Sequence, residues 1–361
     1  MTRRFAALLA VVAVAAAPVP SLAEKPAPVP AAKAESGADE DFREGYRLFS
    51  KKKHLDACAR LYAFLSQRSS NDENYDWARF FLGISLYELG FSHAAADTLS
   101  ELVARKPNVR VVSYSLEVLE DITRTKPFDW ETIVFNGLVD QDFGFVEGDL
   151  ADFVHYYQGL YDWRHGYLEW GGSHFRAIRK GSYYHGLYLF QKALRVIDEN
   201  RLQEAEAGLR AIISDPRPPE DLKDQARVTL ARILYEQQRF AEARAAYREV
   251  RMPPTEQAKY LLEQAWAQYR EGRPERAMGL LYAFMAPSFW RHFTPEYYVL
   301  KSLIYKKVCQ YQQSLSVVGE FKTRYGDSLK AIYKRGDALE SDLLVQAAGG
   351  HTRPHTEGEN G

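Results

Sequence analysis

The chain has 361 residues, 46% hydrophobic and 13% aromatic, which is ample apolar surface for a buried core and too much for a disordered polymer. Its 47 lysines and arginines are balanced by 48 aspartates and glutamates, so no bulk positive field is present to hold nucleic acid. The two cysteines, Cys58 and Cys309, are consistent with an oxidising compartment without demanding one.

The first element is an export signal at 1–23. Arg3 and Arg4 supply its charge, "FAALLAVVAVAAA" its short apolar stretch, and Ser21 and Ala23 the small residues of a cleavage site. No cysteine follows the apolar stretch as a lipid anchor would require, so the expected location is the periplasm or the exterior. No later apolar run approaches the roughly 18 residues needed to span a bilayer. Residues 24–37, "EKPAPVPAAKAESG", have no apolar period and read as an extended linker.

From residue 38 a pattern sets in over 38–109 and resumes over 152–328. A small residue stands at Gly45, Gly83, Gly159, Ala193, Ala231, Ala265 and Ser302, and another twelve positions later at Ala57, Ala95, Gly171, Ala205, Ala243, Ala277 and Ser314. Four positions further on comes a larger residue, Leu61, Leu99, Phe175, Leu209, Tyr247, Leu281 or Val318. Helices approach at the close end of the 8–10 Å range only where the contact residues are small, so each small pair predicts one contact inside a helical hairpin. The large residues are expected to fill the groove against the next hairpin. A single hairpin cannot offset its ordering entropy, whereas stacked hairpins can.

Between the two runs, 110–151 leaves the register. "VRVVSYSLEVLEDITR" has a helical period and the remainder is less regular, so the segment reads as a degenerate repeat or an inserted binding element. At the far end, 329–348 is expected to cap the open stack, and 349–361 has no large apolar residue and reads as a disordered tail.

This pattern resembles the tetratricopeptide repeat, a helix-turn-helix of about 34 residues, most clearly in "FLGISLYELGFSHAAADTLSELVARKP" (81–107) and "LARILYEQQRFAEARAAYREV" (230–250). The resemblance implies an all-α fold, a right-handed α-solenoid. It also implies a concave face lined by positions 2, 5, 9, 12 and 13 of each repeat. On this sequence that face carries Trp77, Tyr87, Tyr156, Trp163, Arg232, Tyr235, Trp266, Tyr269 and Arg270, residue types that dominate protein-contact energy. The same rings could instead be core, if the superhelix is tight. The lysine/asparagine pattern with which some members grip a C-terminal carboxylate is missing. The second half is also similar, as a whole stretch, to tetratricopeptide proteins of gliding delta-type bacteria, some of which serve motility machinery.

No catalytic or metal arrangement emerges. His155, His165, His174 and His185 are spaced by nine to eleven residues and lack the i, i+4 pairing of helical metal sites. They read as surface or packing histidines. No phosphate loop, nucleophile motif or cysteine pair motif is present, so the sequence implies neither enzyme activity nor a cofactor. It points to an exported scaffold or adaptor binding a protein or peptide partner in a bacterial envelope complex. The alternative is a helical module that positions a cell-wall enzyme or binds glycan, because aromatic grooves also stack sugars.

Overall fold

The predicted hairpins close through one recurring backbone device. Lys52, Gly90, Gly166, Asn200, Gln238, Gly272 and Cys309 all have positive φ, between 57° and 88°, and each stands seven residues after the first small residue of its repeat. The N–H of that residue donates to a carbonyl three residues back, as Gly90 does to Tyr87. The next N–H reaches five back, as Phe91 does to Leu86. This pair of bonds is the Schellman motif, which satisfies carbonyls left open at a helix end and reverses the chain.

The computed structural model describes residues 37–106, 109–125, 130–139, 141–251, 254–286 and 294–333. The expected export signal and nearly all of the linker lie outside the described residues, as do the tail and the predicted capping segment beyond 333. Among the described residues the fold is all-α, and no helix is long and apolar enough to cross a membrane.

The chain divides into two units, the first 1–201 with 215–222 and the second 202–214 with 223–361. In the first unit α1 (Gly37–Ser50) pairs with α2 (His54–Gln67), and α3 (Tyr75–Glu88) with α4 (Ser92–Arg105). After α5 (Val109–Thr125) comes a short α6 (Trp130–Ile133) that runs into a π-helical turn, Val134–Leu138. Then α7 (Gly148–Arg164) pairs with α8 (Leu168–Ala177), and α9 (Tyr183–Asp198) follows. First helices of neighbouring hairpins touch, α1 with α3 and α3 with α5, the side-by-side stacking of an α-solenoid.

The second unit contains α10 (Leu202–Ser214), most of α11 (Glu220–Glu236) and α12 (Phe240–Arg248). It continues with α13 (Pro254–Arg270) paired to α14 (Pro274–Phe284), and α15 (Glu296–Lys307) paired to α16 (Tyr311–Tyr333). Again first helices meet, α13 with α15. Helix α16 runs unbroken past 328 to Tyr333.

The small pairs lie where predicted. Ala231, Ala243, Ala265 and Ala277 are each 0% exposed. The larger residues behave differently from the expectation. Leu61 and Leu99 cover the glycines of their own hairpins, such that a Cβ on Gly45 would come within 2.8 Å of Leu61. The small residue is thus a socket for a side chain of the paired helix. In the last hairpin Ser302 and Ser314 exchange a hydroxyl hydrogen bond of 2.8 Å. There Val317 (1% exposed) turns inward and the expected Val318 (43%) turns out, a difference of one 100° helical step.

The irregular segment is packed into the first unit. Gly137 of the π turn rests on the backbone of α4, where an added Cβ would lie 3.0 Å from the Ser100 carbonyl oxygen. Buried Gln158 of α7 donates to the Leu138 and Gln141 carbonyls at 2.8 and 2.9 Å, satisfying a turn that lacks regular partners. The Tyr184 hydroxyl of α9 donates to Glu120 of α5 at 3.0 Å.

Acidic residues at the start of first helices tie down the ends of second helices. Asp39 meets Arg68 at 2.7 Å and Asp76 meets Arg105 at 3.0 Å. Buried Asp152 accepts both the backbone N–H and the Nε–H of Arg179 at 2.9 Å. In the second unit buried Asp224 accepts the Arg251 N–H at 2.9 Å and pairs with Arg227 at 2.5 Å.

Candidate functional site

The predicted partner-facing residues fall into two groups. In the first unit, rings fill the spaces between successive first helices. Tyr156 is 4% exposed and belongs to the core. Trp77 lies flat on Phe81 with ring centres 5.8 Å apart. Trp163 is wedged against Phe175 (4.5 Å) and Tyr188 (5.9 Å), with the Arg195 guanidinium 5.0 Å above its ring. The Tyr87 hydroxyl donates to the Asp121 carboxylate, and burial is the main reason its pKa lies far above the usual phenol value. Tyr87, Tyr156 and Trp163 therefore join hairpin to hairpin, Tyr156 through Tyr184 of α9 at 5.6 Å, whereas Trp77 packs on its own helix. Side chains this large, repeated at one face of adjacent helices, bury more area by meeting each other than by facing water.

In the second unit the face is only partly filled. Arg232 is committed internally, its Nε and Nη2 donating to both Glu263 oxygens at 2.9 and 2.7 Å. The Tyr247 hydroxyl donates to the same carboxylate at 2.6 Å. The Glu263 hydrogen bond raises the Arg232 pKa above its ordinary value. This bidentate pair is a structural link between α11 and α13.

Tyr235, Trp266, Tyr269 and Arg270 differ from Arg232 in their surroundings. Tyr235 of α11 packs edge-on against Phe240 with ring centres 5.2 Å apart, and the Arg270 guanidinium sits 5.1 Å from that same ring. Trp266, one turn before Arg270 on α13, meets Tyr269 edge-on at 6.0 Å. The three named aromatics are half-buried and Arg270 is exposed. No carboxylate among the described residues pairs with Arg270. The result is a fixed cation flanked by half-covered rings. Desolvation raises the Tyr235 pKa while the neighbouring Arg270 opposes it. Phe240, which seats both Tyr235 and Arg270, is outside the predicted face; its signal was its place directly after the α11–α12 turn.

Among the described residues no group of three or more His, Cys, Asp or Glu side chains is placed to hold a metal ion. Cys58 and Cys309 both carry free thiols.

The helix pairs and their turns define the chain as an array of helix-turn-helix repeats. No family model matches it, and no curated protein matches it. A tetratricopeptide repeat protein from Parabacteroides merdae of known crystal structure aligns at 13% identity, covering 79% of this chain and 92% of that one, with a TM-score of 0.34.

Proposed function

We propose that the chain is an exported interaction scaffold, working in a bacterial envelope complex, that binds an extended or helical segment of a protein partner through the α11–α13 face. The observation that carries this reading is Arg270, exposed and oriented over the Phe240 ring, with no carboxylate partner among the described residues. A partner carboxylate reaching Arg270 would gain a charge-assisted hydrogen bond. Apolar side chains of the same segment would cover Trp266, Tyr269 and Tyr235. Rigid aromatics and arginine of this kind supply most of the binding energy at protein contacts. The near balance of charge fits recognition by local anchors better than by a general field. An envelope-assembly or motility complex is the setting we propose for such an adaptor.

The test is capture of partners from envelope extract on the immobilised full chain. A defined protein held by the wild type, and lost with Trp266→Ala and with Arg270→Glu, supports the reading. Arg217→Ala, in the first unit, should leave capture unchanged. Retention on purified peptidoglycan, insensitive to Arg270→Glu, would instead favour the glycan-binding module.

A further inference from the structure

The α7–α8 hairpin brings together two histidines that lie nineteen positions apart in the chain. Gly159 and Gly171 are its small pair, and the backbones meet so closely that a Cβ on Gly171 would come within 2.7 Å of the Gly159 carbonyl oxygen. One turn back from Gly159 along α7 is His155, and three residues on from Gly171 along α8 is His174. Because the two helices run in opposite directions, these positions fall at the same level. Their Nδ1 atoms are 3.2 Å apart, and both rings are half-exposed.

We propose that His155 and His174 form a binding site for a divalent transition-metal ion of the zinc class, each ligating through Nδ1. Zinc–nitrogen bonds of about 2.0–2.1 Å at a tetrahedral angle set two ligand nitrogens about 3.3 Å apart. The observed separation already matches that distance, and rotation of the two rings would turn their lone pairs toward a shared ion. The far nitrogen of His174, Nε2, lies 3.8 Å from an Asp162 oxygen. That distance is too long for a direct hydrogen bond, but the negative charge still favours a proton on Nε2, which leaves Nδ1 with its lone pair towards His155. Without metal, the two Nδ1 atoms share one proton, carried by one ring or the other according to its tautomer. With metal, that proton moves through water to Nε2 of the ring that carried it, so two neutral imidazoles bind with no net proton released. Burial lowers the pKa of both rings, and the charge of His174 further lowers that of His155, which keeps the ligands unprotonated at neutral pH.

Asp152, the carboxylate acting on His155, is occupied by Arg179 and is not a ligand. The protein thus supplies two donors, and water completes the shell. An ion held here would bridge the two helices of one hairpin and stabilise the folded state by mass action. The site lies in the first unit and does not depend on the α11–α13 face.

The test is titration of the chelator-treated full chain with Zn(II) alone, followed by calorimetry and by thermal melting. Binding should raise Tm. His155→Gln and His174→Gln should each weaken it at least tenfold, and the double variant should lose no more than either single change. His165→Gln should bind as the wild type does, because His165 faces the Tyr161 carbonyl at the turn. Other histidines, including His351 and His355 in the tail, contribute a background that the double variant measures. If a variant folds poorly, imidazole nitrogen NMR on the wild type decides. Shifts at Nδ1 of both rings on adding Zn(II) support the site; unchanged Nδ1 signals, or equal affinity in the double variant, overturn it.

Discussion

Leu99 of α4 lies directly over Gly83 of α3, so that a Cβ added to the glycine would meet Leu99 Cδ2 at 2.5 Å. Ala is the better helix former by about 1 kcal/mol, but overpacking a tight core costs about 1–3 kcal/mol. Gly83→Ala is therefore expected to lower stability. Gly279→Ala on α14, where nothing lies within 4 Å, is expected to raise it. Denaturant midpoints of the two variants check the opposite signs, and combining Gly83→Ala with Leu99→Ala should cost less than the sum of the two.

The turn device gives a second pair of opposite effects. Gly272 holds φ at 85° with open space around it, so Gly272→Ala should cost about 1–2 kcal/mol from backbone strain alone. Gln238 adopts φ 62° with a full side chain, and Gln238→Gly should gain up to about 1 kcal/mol. Thermal melts of both variants decide this.

Asp224 and Arg227 are both buried, at 3% and 8% exposure. Asp224→Ala removes one carboxylate from the buried guanidinium and an acceptor from the Arg251 N–H, and should cost about 1–3 kcal/mol. The pair Arg47 and Glu44 on α1 has similar chemistry but is solvent-exposed. Glu44→Ala should leave the unfolding midpoint within error.

His155, His174 and His185 each have a folded-state pKa below the ordinary value, with burial as the largest cause. The unfolded chain then takes up more protons as pH falls through about 6.5. Their contribution is present above that pH and is lost progressively below it. In metal-free protein Tm should drop between about pH 7.5 and 5.5, and His155→Gln with His174→Gln should flatten the curve. Glu117 and Glu120 are pushed up by burial and act in the opposite sense, nearer the carboxylate range.

The hairpins were legible because their cause is local: a small residue, a fixed count, and a second small residue define one contact whichever repeat surrounds it. Four of the seven turn residues were legible too, since Gly90, Gly166, Gly272 and Asn200 are types that accept positive φ. Lys52, Gln238 and Cys309 gave no such signal, because a modest backbone penalty is outweighed by the packing of the hairpin. The candidate site was only half readable. Trp163 and Trp266 occupy related positions of their first helices, yet one is enclosed by Phe175, Tyr188 and Arg195 while the other borders an open arginine. That contrast depends on which rings stand on neighbouring hairpins. His155 and His174 escaped notice because their meeting follows from the level of the Gly159–Gly171 contact, not from any short spacing.

The socket that Gly83 offers Leu99 is made equally well by alanine or serine elsewhere, and the turn accepts glycine, asparagine, lysine, glutamine or cysteine. What is held constant is bulk and backbone handedness; the letters themselves are free to drift. Two such arrays could differ at nearly every position and still superimpose hairpin for hairpin, leaving their outer surfaces open to acquire new companions without refounding the scaffold.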